Sequence, residues 1–134
     1  FEWVDWSYAE CLLLLAFIQG EREQFPLAIE TLSAARKVAP TQASIANELG
    51  YALNRSGSPD RALLAYREAL GLSRKFVSQK NHEPAALRGI GVSLVGVGKL
   101  DEAEAVLRAS QKIDPSSEVA KHELEYIRQL RSQH

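Results

Sequence analysis

The clearest periodic stretch is EVAKHELEYIRQL, from Glu118, where Ala120, Leu124 and Ile127 form one apolar stripe that Tyr126 and Leu130 widen. Glu118, Lys121, Glu125 and Arg128 lie largely away from that stripe. The pattern predicts an amphipathic helix with one buried face. CLLLLAFI, Cys11 to Ile18, predicts a helix of another kind, apolar on nearly every side, which must be covered. Between them, ANELGYALNRSGSPDRALLAYREALGLS from Ala46 and LRGIGVSLVGVGKLDEAEAVLRASQKID from Leu87 share one design. Each has a helix rich in small residues, a Gly-containing turn, an acidic helix start and a second helix. Leu49-Gly50 answers Ile90-Gly91, Gly57 answers Gly98, Ala62 answers Ala103, and Tyr66 answers Leu107. A weaker early copy runs through Leu12, Leu15-Ala16, Ala28, Leu32, Ala35 and Pro40.

Repetition of this kind marks an array of stacked units. Small residues at Ala16, Gly50 and Gly91 let two antiparallel helices approach closely, with Ala28, Ala62 and Ala103 on the facing side. Ser58 is expected to cap a helix with Pro59 at its first position. Asp101 is expected to cap another, with Glu104 completing a box-like arrangement. Pro40 and Pro115 stop the second helices of the first and third copies.

In register, the copies resemble the tetratricopeptide repeat, a helix–turn–helix unit whose pattern is a large residue, Leu-Gly, a large residue, Ala, an aromatic, Ala and Pro. The alignment gives repeats at 9–42, 43–76 and 84–117 and a capping helix at 118–132. The resemblance implies a single all-α domain, a right-handed α-α superhelix of three helix pairs with its C-terminal cap. The step from the first repeat to the second is 34 residues and from the second to the third 41. The extra residues, 77–83, follow Arg74, which stands where the family usually has Pro. SRKFVSQK is therefore expected to continue the preceding helix by about two turns, roughly 10 Å. Asn81 and His82 would then turn the chain, and Pro84 would open the next helix. A basic docking point at Arg74, Lys75 and Lys80 is the other reading.

Composition narrows the function classes. The chain has 134 residues, a net charge of -1, 46% hydrophobic and 25% charged residues. That suits one globular domain with a real core, and it offers no electrostatic case for nucleic acid or a membrane surface. The apolar run falls short of the ~20 residues of a membrane span, and no basic residue precedes it as in a signal peptide. No targeting signal is legible, so a cytoplasmic setting is favoured. The start at Phe1 and the lack of methionine read as a piece of something longer.

Catalytic chemistry is not suggested. His82, His122 and His134 lack metal-ligand partners at helical spacing, so no metal or cofactor is expected. Cys11, inside an apolar helix, is expected to be a small buried hydrophobe. GIGVSLVGVG, from Gly89, opens like a dinucleotide fingerprint, but Leu94 fills the third glycine's place, and structural glycines are the better reading.

The resemblance implies a non-enzymatic module that binds a peptide or protein segment. In this family the first helix of each repeat lines a concave groove through its second, fifth, ninth and twelfth positions. Here the groove residues of interest are Leu13, Phe17, Asn47, Tyr51, Asn54, Arg88 and Val92. Asn47 and Asn54 would bond a backbone, Phe17 and Tyr51 would pack side chains, and Arg88 would meet a carboxylate. Packing of Leu13, Phe17 and Tyr51 against neighbouring helices is the alternative. One branch of the family holds acidic C-termini of heat-shock chaperones with Lys, Asn, Asn, Lys and Arg. Those positions here are Leu13, Phe17, Glu48, Ala85 and Gly89, so that role is not expected. Trp3 and Trp6, with the apolar first helix, are expected to be covered first by the tail folding back or by a preceding segment, and next by a second copy, which would make a homodimer or scaffold. A regulatory domain of a longer enzyme, or a relative of bacterial secretion chaperones, completes the alternatives.

Overall fold

The computed structural model describes the backbone of residues 2–133 and the side chains of residues 7–133. Trp3 and Trp6 therefore lie outside the described side chains. Seven α-helices follow in order among the described residues: α1 Glu2–Glu21, α2 Phe25–Val38, α3 Ala43–Arg55, α4 Pro59–Lys75, α5 Glu83–Gly96, α6 Leu100–Ile113 and α7 Glu118–Ser132. Each packs on the next, and α3, α5 and α7 also lie side by side, so the pairs stack into a superhelix with odd-numbered helices along one face. Leu32, Ile45, Leu94, Leu107 and Ile127 are the large side chains most deeply sealed between the layers.

Three turns carry the repeat most plainly. In the α1–α2, α3–α4 and α5–α6 turns, backbone N–H groups of Gln24, Ser58 and Lys99 donate to the carbonyls of Gln19, Leu53 and Leu94. Those of Glu23, Gly57 and Gly98 donate to Gly20, Asn54 and Val95. This paired bonding is the Schellman closure of a helix C-terminus, which needs a left-handed residue. Gly57 and Gly98 supply it at φ 86° and 84°, and Glu23 adopts it at 57° despite its side chain.

Three expectations are corrected. Helix α4 does not run on through the insertion: it ends at Lys75, Phe76 is extended, and Val77–His82 form a separate 3-10 helix. The chain leaves the helix because Gln79 has better partners elsewhere. Its Oε1 accepts from the Ala43 N–H at 2.6 Å and its Nε2 donates to the Thr41 carbonyl at 2.7 Å. Thus the side chain caps α3, whose own N-cap residue, Gln42, contributes no side-chain bond. Ser58 and Asp101 also do not cap as expected. Ser58 is at the N-cap without a side-chain bond, and Asp101 lies inside α6, which starts at Leu100. Glu104 instead pairs with Arg108 and Arg131. Cys11 is exposed, because no other described helix covers that side of α1.

Candidate binding groove

The floor of the groove is set by one buried aromatic. Tyr66, from α4, lies between two helices at points where neither has a side chain. A Cβ on Gly50 would fall 2.7 Å from its ring, and one on Gly89 would fall 2.1 Å away. The two glycines therefore admit the ring between α3 and α5 and fix how closely those helices approach. Burial pushes the Tyr66 hydroxyl above its ordinary range, with the Glu48 carboxylate adding to the shift.

Two cavities open above this floor. The first, about 260 Å³ between α1, α2 and α3, has apolar walls that include Phe17 and Phe25. The second, about 340 Å³ along α3 and α5, is lined by Asn47, Asn54, Arg88 and Val92, with Val119 at its edge. Glu48 and Tyr51 belong to both and form the ridge between them. Tyr51 is held there by Arg55, which donates to its hydroxyl at 2.8 Å and places its guanidinium 4.7 Å over the Phe25 ring. A cation–aromatic arrangement of this kind contributes ~0.5–1 kcal/mol at an exposed site. Crowding by the groove walls holds the Glu48 carboxyl above the usual carboxylate range.

The residues singled out from sequence are distributed as follows. Phe17 lines the first cavity, while Asn47, Asn54, Arg88 and Val92 line the second and Tyr51 both. Leu13 lines neither; it is half-buried against the core. The asparagines are already partly engaged. Asn54 Nδ2 donates to Ser93 Oγ at 3.1 Å, and that hydroxyl donates onward to the Gly89 carbonyl at 2.8 Å. Asn47 Nδ2 donates to the His82 carbonyl at 3.3 Å, but its buried Oδ1 accepts nothing among the described residues. Arg88 faces Asp114 of its own chain at 3.5 Å. Phe25, Arg55 and Tyr66 were not singled out as groove residues, and Glu48 only as a departure from the chaperone clamp. Phe25 and Tyr66 come from the second helices, so no first-helix rule reaches them.

Among the described residues, no helix is long and apolar enough to cross a membrane. No group of three His, Cys, Asp or Glu among them is placed to hold a metal ion.

Stacked helix pairs closed by one recurring turn, with a groove along one face, define a helical repeat protein. Residues 13–75 match the tetratricopeptide repeat family model. The chain is 32% identical over 107 residues to the general transcriptional corepressor ssn6 of Schizosaccharomyces pombe; this is 80% of the chain and 9% of that protein. It superposes on the first TPR of Spaghetti (RPAP3) bound to HSP90 peptide SRMEEVD with a TM-score of 0.82, covering 94% of each chain at 18% identity. It also superposes on the Yersinia enterocolitica type III secretion chaperone SycD in complex with a peptide of the translocator YopD. That TM-score is 0.74, covering 91% of this chain and 93% of the other at 21% identity. Residues 13–75 thus carry the tetratricopeptide repeat signature, and the fold of tetratricopeptide domains extends over nearly the whole length of the chain.

Proposed function

We propose that this chain is a non-enzymatic protein-interaction module that holds an extended peptide or protein segment along α1, α3 and α5. The observation that carries this is the pair of cavities meeting at Glu48 and Tyr51. A segment lying in both must pass that ridge, where the exposed Tyr51 ring is available to pack against it. Two neighbours of the same fold, the Spaghetti domain and SycD, are bound to peptides. The groove here differs chemically from a clamp for acidic C-termini, because Leu13, Phe17, Glu48, Ala85 and Gly89 replace all its polar anchors. The test is peptide selection from a random displayed library, followed by binding to Tyr51→Ala. Loss of roughly tenfold in affinity is expected for a buried aromatic contact. Peptides bound equally well by this variant, with unchanged helicity, would remove the groove reading.

A second reading is favoured by α1. Tyr8, Leu14, Leu15 and Ile18 are 57%, 62%, 45% and 43% exposed and share one side of the helix with Cys11. In the proposed register, Cys11, Leu15 and Ile18 correspond to Ile45, Leu49 and Ala52 of α3, all buried in the stack. This side of α1 thus has the character of a repeat-to-repeat surface, and a second copy meeting it would form a homodimer. Light scattering across a hundredfold concentration range (~100-fold, wide enough to cross a micromolar Kd) should then show mass doubling that Leu15→Glu abolishes. A constant monomer mass would exclude self-association through α1.

A further inference from the structure

The first cavity has an unusual balance of groups for a site that would receive only apolar side chains. Its walls include Phe17, Phe25 and Leu32, yet the charged groups along it are two carboxylates, Glu21 and Glu48, and no cation among the described residues lines it. Neither carboxylate has an ion-pair partner among the described residues. The nearby cation, Arg55, is engaged with the Tyr51 hydroxyl and faces Glu23 at 3.6 Å.

We infer that this cavity is a receptor for a lysine or arginine side chain, so that the groove selects extended segments carrying a basic residue. The inference rests on the groove reading above and names the chemistry that reading leaves open. A long basic side chain satisfies both halves of the cavity. Its methylene stem covers the apolar wall while its charged head reaches the carboxylates. The faces of Phe17 and Tyr51 add a cation–π contribution. An acidic side chain would meet like charge, and a purely apolar one would take water from Glu48 without replacing it. Glu48 is already partly desolvated, and an arriving cation relieves that penalty. Arg55 over Phe25 is an internal example of the same pairing, a guanidinium on an aromatic face of this groove.

The experiment is the displayed random-peptide selection, run in parallel on the wild-type chain, Glu48→Gln and Glu48→Lys. Wild type is expected to enrich peptides with Lys or Arg at one fixed position. The best of these should bind Glu48→Gln at least about tenfold more weakly, as expected for loss of a charge-assisted contact. Glu48→Lys should enrich Asp or Glu at that position instead. Glu48 is on the solvent side of α3, and equal helicity of all three proteins establishes that folding is intact. Enriched peptides without a basic residue, or unchanged affinity for Glu48→Gln, overturn the basic-residue inference. If those peptides still lose affinity for Tyr51→Ala, the groove itself stands. Peptides indifferent to both substitutions, or no enriched peptide, overturn the groove reading together with this one.

Discussion

Tyr66 and Glu23 show glycine acting with opposite sign in one chain. At 89 a methyl group has nowhere to go, since the ring it would strike is confined along its opposite edge by Gly50. Alanine normally gains about 1 kcal/mol over glycine inside a helix. Here overpacking of about 1–3 kcal/mol opposes it, and a 2.1 Å approach belongs at the severe end. Gly89→Ala is therefore expected to destabilise by about 1–2 kcal/mol net, read as a lower urea midpoint. At 23 a side chain occupies the left-handed position that Gly57 and Gly98 hold in the other turns. Glu23→Gly should stabilise by up to about 1 kcal/mol, the left-handed cost less the extra chain entropy of glycine. Sequence showed Gly50 and Gly91 as close-approach positions because they fall in register. It did not show the use of Gly89, whose neighbour Tyr66 is 23 residues earlier and reaches it only through the stacking of α4 on α5.

Helices were more legible than their ends. Amphipathic stripes, Pro59 and the post-helix prolines mark where elements begin and stop, and these signals are local. The caps and the insertion are not local. The turn bonds satisfy the last carbonyls of the preceding helices, Ser58 makes no side-chain bond at the start of α4, and Lys99 takes the N-cap place expected of Asp101. Gln79 finds its partners at Thr41 and Ala43, more than thirty residues away. Gln79→Ala removes both bonds and uncaps α3, at a combined cost of about 1–2 kcal/mol. Amide exchange should quicken first at Ala43 through Ala46, with α6 and α7 unaffected. Uniform acceleration across all helices would mean that the side chain acts on global stability instead of on the cap.

Over the whole molecule, acid acts in two directions. Hydrogen bonds from Arg131 and Arg108 hold the Glu104 carboxyl below its ordinary 4.5, which joins α7 to α6 through charge. That contribution is complete above the unfolded value and is lost as pH falls through the lower folded one. Burial raises Glu48 and Glu123, so their ionisation opposes folding, and protonation relieves it as pH falls. The two sets partly cancel. Glu48→Gln should thus raise the melting temperature at pH 7 by a few degrees at most, corresponding to less than about 1 kcal/mol for a group still in contact with water. The gain should vanish below the ordinary carboxylate range. A gain that persists at low pH would have to come from packing and not from charge.

The 3-10 insertion also bears on mechanics. Gln79 and the His82 carbonyl tie the α4–α5 junction back to the α2–α3 junction and to Asn47. A stack of repeats behaves as a spring whose pitch can change at every joint. Here the strut spans the joint beside the second cavity, while the joint at the first cavity, between α1, α2 and α3, is crossed by the contacts of the exposed Arg55 with Glu23 and the Phe25 ring. The two ends of the array are therefore expected to differ in compliance, the α3–α5 joint being held by part-buried amide hydrogen bonds and the α1–α3 joint by contacts of one solvent-exposed arginine.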